Sequence, residues 1–343
     1  MSELDFGGKT PYKLSSNENI LGSSPKALAA IRAGLDKLHL YPPNKDTKLR
    51  EALSEFYENK LTSAHFMGTP SGSEAIDLII RAFLGEDLEC IVSDPAFMPY
   101  IMFSKKQGGK VVNIPLRRPD FSLDIPGILA AVNEKTRLLF LSSPNNPTGS
   151  YIPKADLDRL IYALPAHVIV LLDEVYYQYA DAEDYTTALP YVAEGRPVIG
   201  INSFSKAYGL AGMRIGYAYS TPKIISYISQ LSKPFLLPLL SHEAAIAALS
   251  DTEFIKKTVE NNAREKSRLY NELDRLPLKY HKTQGNFILL EPEMPEKEFE
   301  DKMRLQGIMV RPVAGFGAPG CVRVTIGHRA ASEAFIAGLR AVL

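Results

Sequence analysis

The stretch VIGINSFSK, residues 198–206, joins a short apolar strand to a polar loop that contains a lysine. Residues 198–202 are mostly apolar and include β-branched side chains, which is typical of a strand buried on both faces of a sheet. Two upstream strands end in the same way: residues 137–142 are followed by the NNPTG turn, and residues 167–172 by Asp173. The sequence therefore predicts three neighbouring strands whose carboxyl ends carry polar side chains.

Helices alternate with strands along most of the chain. The predicted helices cover residues 26–38, 72–83, 125–133 and 156–164, and further strands cover residues 89–93 and 110–115. Short, nearly continuous apolar strands separated by helices are what a mostly parallel sheet flanked by helices requires. The predicted fold class is therefore α/β.

The C-terminal part of the chain has a different pattern. Residues 241–276 predict one long charged helix, and short strands follow at residues 287–290, 307–311 and 321–326. This order of elements predicts a smaller α+β domain. The predicted division is an N-terminal arm that joins the small domain, a large domain and the small domain, at residues 1–25, 26–235 and 236–343.

Charge and composition exclude several classes of protein. The 39 lysines and arginines balance 39 aspartates and glutamates, so there is no net charge with which to bind nucleic acid or an anionic membrane. No apolar run approaches the ~18 residues of a membrane span, and the N-terminus does not resemble a secretory signal. Cys90 and Cys321 predict core thiols, and the scattered histidines predict no metal site. A cytoplasmic protein is expected.

The polar groups at the three strand ends form a set that suits one kind of ligand. Each has a structural alternative: the NNPTG segment as a turn, Asp173 as a cap and Lys206 as a solvated lysine. Together, however, a carboxylate, an amide, an amine and hydroxyls match the ring nitrogen, phenolic oxygen, aldehyde and phosphate of pyridoxal phosphate. The helix start at residues 71–74 adds backbone N–H groups for the phosphate, and Arg214 adds a charged contact.

Three motifs resemble the signature of the fold-type I, class I and II aminotransferases, which depend on pyridoxal phosphate. They are SSPNNPTG at residues 142–149, DEVY at 173–176 and SFSKAYGLAGMRIGY at 203–217. KLSSNEN at 13–19 and the Tyr41-Pro42 pair resemble the histidinol-phosphate aminotransferase subfamily, which implies a role in amino-acid, here histidine, biosynthesis. The resemblance extends over nearly the whole chain and implies the fold-type I transferase architecture.

The resemblance implies a role for each matching residue toward the cofactor. Lys206 would bind the cofactor aldehyde covalently and, once freed, move the proton at the substrate Cα as a general base. Asp173 would pair with the ring nitrogen. Asn146 and Tyr176 would bond the phenolic oxygen, and Phe97 would stack on the ring. The implied catalytic residues are Lys206, Asp173 and Tyr176, and the implied phosphate ligands are Ser73, Glu74, Ser203, Ser205 and Arg214.

The family resemblance also implies partners. Tyr41 of a second subunit would join the phosphate ligands, so a homodimer with shared active sites is expected. The substrates would be a small-molecule amino donor, either an amino acid or histidinol phosphate, and a 2-oxo acid, usually 2-oxoglutarate. Arg323 matches the arginine that binds the substrate carboxylate, although an arginine on an edge strand often faces water. Asn19 and Arg329 are further predicted substrate ligands.

Two features of the sequence keep other functions open. Pro234-Phe235-Leu236 stands where histidinol-phosphate aminotransferases commonly have Pro-Tyr-Asn, and the last helix lacks an expected basic residue. An aromatic amino acid aminotransferase and a threonine-phosphate decarboxylase-like enzyme are therefore alternatives. A nonenzymatic protein that binds pyridoxal phosphate is the alternative from another class.

Overall fold

The computed structural model describes residues 6–343. Its strands are β1 (Tyr12–Lys13), β2 (Phe66–Thr69), β3 (Glu89–Val92), β4 (Lys110–Asn113), β5 (Thr136–Ser142), β6 (Ile169–Asp173), β7 (Val198–Ser203), β8 (Gly216–Tyr219), β9 (Lys279–His281), β10 (Phe287–Glu291), β11 (Ile308–Met309), β12 (Arg311–Pro312) and β13 (Val322–Thr325). Its helices are α1 (Pro25–Gly34), α2 (Thr47–Phe56), α3 (Gly72–Phe83), α4 (Pro99–Lys106), α5 (Ile125–Ala131), α6 (Lys154–Ala163), α7 (Leu189–Ala193), α8 (Pro222–Ser229), α9 (Leu239–Leu249), α10 (Thr252–Leu273), α11 (Glu296–Leu305) and α12 (Arg329–Val342). None of the helices within residues 6–343 has both the length and the apolar character that a membrane span needs.

The larger sheet has seven strands in the order β2-β8-β7-β6-β5-β3-β4. Strands β7, β6, β5, β3 and β4 are parallel neighbours, whereas β8 runs antiparallel to both β7 and β2. Helices cover the sheet, so the predicted α/β fold with a mostly parallel sheet is confirmed. The five strands predicted in this region correspond to β3, β4, β5, β6 and β7.

Strands β2 and β8 are not predicted from the sequence. Both have four residues and contain glycine, which weakens the apolar, β-branched pattern of a buried strand. The glycine at the start of β8 is required by packing, because a Cβ on Gly216 would lie 2.8 Å from the backbone nitrogen of Gly72. Gly216 therefore lets β8 pass close to the first turn of α3.

Helices on both faces of the larger sheet create two apolar cores. Strand β5 contributes to both, since Leu139 and Leu141 belong to one core and Leu138 and Phe140 to the other. Successive side chains of a strand point to opposite faces, so a strand covered on both faces is apolar throughout. The faces of the sheet are thereby occupied, and a ligand can approach at the strand ends.

A smaller antiparallel sheet, in the order β12-β13-β10-β9, shares a third core with α10, α11 and α12. The N-terminal segment joins this part of the molecule, because β1 pairs in parallel with β11 and Leu14 is buried in the same core. The predicted arm and domain boundaries, at residues 1–25, 26–235 and 236–343, stay a prediction.

Two predicted elements are each divided in the structure. The sequence predicts one helix over residues 241–276, but the chain forms α9 and α10 with a break at Ser250 and Asp251. The Asp251 carboxylate accepts hydrogen bonds from Ser24 Oγ at 2.6 Å and from the Lys26 N–H at 3.2 Å, so it stabilises the start of α1. The strand predicted at 307–311 divides into β11 and β12, which belong to different sheets.

Candidate active site

A cavity of about 520 Å³ lies at the carboxyl ends of β5, β6 and β7. The last residues of these strands, Ser142, Asp173 and Ser203, all line it. Parallel strands place their carboxyl ends at one edge of a sheet, where open α/β proteins bind ligands. We call these three residues and Lys206 the sheet end of the cavity. Predicted site residues that line the cavity are Ser73, Phe97, Asn146, Asp173, Tyr176, Ser203, Ser205, Lys206, Arg214 and Arg323.

Lys206 lies in the loop after β7 and is half-buried. Its Nζ donates a hydrogen bond to the Ser16 carbonyl oxygen at 3.2 Å and lies 5.5 Å from the centroid of the Tyr176 ring. The Tyr176 hydroxyl accepts a hydrogen bond from the side-chain amide of Asn17 at 3.0 Å. Since an ammonium group has three donors, the Lys206 amine keeps donors that a ligand in the cavity can use.

Asp173 is the buried acid of the sheet end. Its Oδ2 accepts a hydrogen bond from the Tyr100 hydroxyl at 2.6 Å, and its Oδ1 accepts one from the Val175 N–H at 3.2 Å. Burial raises the pKa of the Asp173 carboxyl, while these two hydrogen bonds and the charge of Lys206 act in the opposite direction. A cationic ligand group against Asp173 would be favoured, because it would further stabilise the ionised carboxylate.

The first turn of α3 gives the cavity a place for an anion. Ser71 is the N-cap residue, and its hydroxyl accepts a hydrogen bond from the Glu74 N–H at 3.0 Å. The N–H groups of a first turn and the positive end of the helix dipole favour a phosphate. Ser203 and Ser205 add hydroxyls that lie 2.9 Å apart, and Arg214 adds a guanidinium from a left-handed backbone position with φ 52°.

Arg323 on β13 is buried and lines the cavity. Its Nη2 donates to the Ser15 carbonyl oxygen at 2.9 Å, its Nη1 donates to Asn146 Oδ1, and its Nε has no hydrogen-bond partner among the described residues. Burial lowers the pKa of Arg323, and the nearby charge of Arg311 lowers it further. An anionic ligand would stabilise this buried guanidinium, because a charge removed from water needs a partner.

Several residues that complete the cavity are not predicted from the sequence. Asn17 and Arg311 are polar lining residues, and Met98 and Phe316 form an apolar part of the wall. Arg311 lies directly opposite Arg323 in the antiparallel pair of β12 and β13. We call Asn17, Arg311 and Arg323 the arginine end of the cavity. Asn17 belongs to the KLSSNEN motif, which could have signalled it, but no local pattern signals Arg311.

Two residues predicted to bind substrate lie outside the cavity. The Asn19 side-chain amide donates to the Ala207 carbonyl oxygen at 2.8 Å and to Thr258 Oγ1 at 3.1 Å, so it fastens the N-terminal segment to the loop after Lys206. Arg329 is exposed in the first turn of α12 and forms an ion pair with Glu333, one turn further along the helix. The structure therefore does not bring Asn19 or Arg329 to the other predicted site residues.

Glu74 and Tyr41 also lie outside the cavity of their own chain. The Glu74 N–H is already bonded to Ser71, and the Glu74 side chain lines a separate cleft with Asp77. Tyr41 is 84% exposed, and its ring centroid lies 5.1 Å from that of Phe235. The family resemblance implies that Tyr41 joins the site of a second subunit, and an exposed position in a single chain is compatible with that prediction, which stays a prediction.

The groups that line the cavity fit pyridoxal phosphate. The buried Asp173 carboxylate, the Lys206 amine, the Tyr176 hydroxyl and the first turn of α3 correspond to the ring nitrogen, aldehyde, phenolic oxygen and phosphate. The Phe97 ring supplies an apolar surface for the pyridine ring. In residues 6–343 no three metal-ligating side chains come together.

The fold and the site define a pyridoxal-phosphate-dependent transferase of fold type I. The chain belongs to the aminotransferase class I and II family, whose model matches residues 9–338. The histidinol-phosphate aminotransferase of Moorella thermoacetica is 37% identical over 342 residues, which cover 99% of this chain and 88% of the relative. That of Akkermansia muciniphila is 39% identical over 342 residues, which cover 99% of this chain and 92% of the relative.

Solved structures agree with this assignment. Histidinol-phosphate aminotransferase from Sinorhizobium meliloti, in complex with pyridoxal 5'-phosphate, matches with a TM-score of 0.88 and 25% identity, covering 98% of this chain and 92% of that one. A mutant of Thermus thermophilus aspartate aminotransferase matches with a TM-score of 0.87 and 25% identity over the same shares. The predicted family, fold class, cofactor and enzymatic nature are confirmed.

Proposed function

We propose that this aminotransferase takes an amino group from histidinol phosphate and passes it to a 2-oxo acid such as 2-oxoglutarate. The observation that carries the proposal is the position of Arg311 directly opposite Arg323, with both side chains on the cavity. Like charges at opposite positions of two strands repel each other. Both guanidinium groups donate to the Ser15 carbonyl oxygen, and a negatively charged ligand beside them would stabilise the pair further. A phosphate group suits two guanidinium forks because it offers several charged acceptor oxygens.

The same two arginines would serve both substrates in turn. Histidinol phosphate has no carboxylate, so its phosphate is the anionic group that the arginine end would bind. A 2-oxo acid would place a carboxylate there instead, and Arg323 has the planar donor geometry for it. The arginine end could therefore bind the phosphate of the amino donor and the carboxylate of the amino acceptor in turn.

The residues of the sheet end would orient the cofactor and move the proton. When bound, pyridoxal phosphate supplies an electron sink next to the substrate Cα. Lys206 would hold the cofactor aldehyde at rest and then transfer the proton at the Cα. Asp173 would keep a proton on the ring nitrogen. Asn146 Oδ1 accepts a hydrogen bond from Arg323, which leaves the Asn146 Nδ2 as a donor for the phenolic oxygen. The Tyr176 hydroxyl would bond the same oxygen.

A second substrate class is supported by the apolar side chains of the cavity. Phe97, Met98 and Phe316 line it, and Phe235 stands where a tyrosine is common in histidinol-phosphate aminotransferases. Burial of an aromatic ring against such side chains would favour phenylalanine or tyrosine as the amino donor. An aromatic amino acid aminotransferase is therefore the second candidate.

We also propose that a second copy of the chain covers an exposed apolar patch formed by the segments 38–41 and 231–235. Leu38, Leu40, Tyr41, Leu231 and Phe235 are all exposed, and the two segments meet where the Tyr41 and Phe235 rings are in contact. Exposed apolar side chains that cluster mark interaction surfaces. Covering the patch would bring Tyr41 to the phosphate site of the partner. Sedimentation of the loaded enzyme should show a dimer, and a monomer with full activity would contradict the proposal.

A panel of amino donors tests the proposed substrate. The loaded enzyme is mixed with histidinol phosphate, phenylalanine, tyrosine or threonine phosphate, and the absorption band of the bound cofactor is followed in single turnovers. We expect histidinol phosphate to give the largest kcat/KM. A larger value for phenylalanine or tyrosine would replace the proposal by the second candidate, and release of carbon dioxide from threonine phosphate would establish a decarboxylase.

The substitution Arg311→Gln tests whether Arg311 binds the phosphate of the substrate. We expect kcat/KM for histidinol phosphate to fall about tenfold to thirtyfold, because one charge-assisted contact to the phosphate is lost. Arg329→Gln is the matched control, since Arg329 lies outside the cavity on α12, and it should leave kcat/KM unchanged. Equal effects of the two substitutions would contradict the assignment of Arg311.

A further inference from the structure

Tyr100 lies behind the acid of the sheet end and does not line the cavity itself. It is buried on α4, and its hydroxyl donates a hydrogen bond to Asp173 Oδ2 at 2.6 Å. The other described donor to this carboxylate is the Val175 N–H, which bonds the second oxygen, Oδ1. Tyr100 therefore supplies the described hydrogen bond to Oδ2, and this bond is the shorter of the two.

The Tyr100 ring is held by neighbours on two sides. It stacks on Phe140 of β5, with ring centroids 5.1 Å apart and an angle of 14° between the planes. It also meets the Phe97 ring edge-on, at 5.7 Å and 80°. These contacts fix the direction of the hydroxyl, because a tyrosine side chain has few rotatable bonds. One residue thus contacts both Asp173 and Phe97, the groups assigned to the edge and the face of the pyridine ring.

The Tyr100 hydroxyl favours the ionised form of the Asp173 carboxyl. Burial raises the pKa of the Asp173 carboxyl, and the hydrogen bond from Tyr100 lowers it. An Asp173 without this donor would have a higher proton affinity. In contact with a pyridine nitrogen, the carboxylate and the nitrogen compete for one proton, and a more basic carboxylate holds it more of the time. The hydroxyl therefore favours the proton on the nitrogen.

We propose that Tyr100 is a positioning residue that keeps the Asp173 carboxylate ionised and directed at the cofactor, so that the ring nitrogen carries the proton. The inference rests on the proposed role of Asp173 toward the ring nitrogen. Tyr100 touches neither substrate nor cofactor and acts through Asp173. A protonated ring nitrogen withdraws electrons more strongly than a neutral one, so loss of the Tyr100 hydroxyl should slow the proton transfer at the substrate Cα.

The test uses the enzyme loaded with pyridoxal phosphate that carries ¹⁵N in the ring, and the variant Tyr100→Phe. Phenylalanine keeps the ring contacts with Phe140 and Phe97 and removes the hydroxyl. We expect the ¹⁵N signal to move toward that of an unprotonated pyridine. We also expect kcat to fall roughly tenfold to hundredfold with KM changed less than about threefold, as for a lost hydrogen bond to a charged group.

Tyr191→Phe is the matched control. The Tyr191 hydroxyl donates to Asp158 Oδ1 at 2.7 Å, so this substitution also removes a tyrosine–aspartate hydrogen bond, but away from the cavity. It should leave the ¹⁵N signal and kcat unchanged. Tyr100→His, which keeps a donor on the ring, should recover part of the wild-type signal. In an Asp173→Asn background, Tyr100→Phe should have no further effect on the signal, because the two residues act as one unit.

The outcomes separate this inference from the proposed function. An unchanged ¹⁵N signal in Tyr100→Phe, at full cofactor occupancy, overturns the inference and leaves the substrate assignment intact. A signal that moves equally in Tyr100→Phe and Tyr191→Phe also overturns it, since the change would then be general. Failure of the wild-type enzyme to use histidinol phosphate would overturn the proposed function alone, because the ring nitrogen is measured without substrate.

Discussion

The sheet end and the arginine end of the cavity are built in different ways. At the sheet end, Ser142, Asp173 and Ser203 are the last residues of neighbouring strands, so each is positioned by its own local chain. The arginine end combines Asn17 with residues of the smaller sheet, and the Asn17 N–H donates to Thr325 Oγ1, 308 residues away, at 2.9 Å. The residues proposed for the chemistry are thus placed by one sheet, whereas those proposed for substrate recognition depend on contacts between distant segments.

The largest effect should come from the sheet end. We expect Lys206→Ala to lower kcat about 10⁴-fold, because the variant loses both the covalent link to the cofactor and the general base. Borohydride reduction followed by peptide mass mapping should label Lys206 in the wild-type enzyme. The exposed Lys105 serves as the control, and Lys105→Ala should retain labelling and activity. A Lys206→Ala variant with substantial turnover would contradict the role of the sheet end.

Arg323→Lys should have the next largest effect and should act on recognition. Lysine keeps the charge but lacks the fork that contacts Ser15 and Asn146, so we expect kcat/KM to fall about 10²-fold for both histidinol phosphate and 2-oxoglutarate. Steady-state kinetics with each substrate measures this. The same substitution should leave borohydride labelling of Lys206 intact. A loss of labelling would show that the arginine end affects cofactor binding at the sheet end, which would contradict the view that the two ends act independently.

Glu174→Gln should have the smallest effect. It tests the buried acid that directly follows Asp173 of the sheet end. Burial raises the pKa of the Glu174 carboxyl to about 8, against 4.5 in its ordinary state. The folded chain therefore holds a proton that the unfolded chain releases, so this stabilisation is present below about pH 4.5 and is lost as the pH rises toward 8.

Glutamine cannot ionise, so the variant should lose this part of the pH dependence. Relative to the wild type, we expect Glu174→Gln to gain about 1–2 kcal/mol in free energy of unfolding between pH 5 and pH 8. Denaturant unfolding at both pH values measures the difference. The buried Asn202 Oδ1 has no hydrogen-bond partner among the described residues, so a rotated Asn202 amide can accommodate the new NH₂ group. Parallel pH profiles of the two proteins would refute the assignment.

The contrast between the sheet end and the arginine end also explains which residues could be predicted from the sequence. Strand ends and their polar loops depend on local pattern, so Asn146, Asp173 and Lys206 could be assigned to one site from the sequence. The short strands β2 and β8 contain glycine and give only a weak pattern, although β8 lies between β2 and β7 at the centre of the antiparallel part of the sheet. The break between α9 and α10 gives no signal in the sequence, because residues 241–276 contain neither glycine nor proline to mark it.

Residues of the arginine end show where local pattern fails. Asn17 and Asn19 lie two positions apart in one motif, yet Asn17 lines the cavity and Asn19 bonds to Ala207 and Thr258. A positive φ of 54° at Asn17 turns the chain at this point, which the motif does not reveal. Arg311 reaches the cavity because β12 pairs with β13, and only that pairing sets it opposite Arg323. Long-range register is not contained in any single stretch of sequence.

The N-terminal segment that contains β1 and Asn17 has a consequence for how the enzyme matures on the ribosome. Its parallel pairing with β11 and its bond to Thr325 need residues that are translated much later, 308 positions later in the case of Asn17 and Thr325. Closing a loop of this size costs conformational entropy and slows folding. A growing chain can therefore complete the larger sheet and the loop that contains Lys206 well before β1 and Asn17 find their final partners. The nascent protein should acquire its vitamin-binding surface first and its selectivity last.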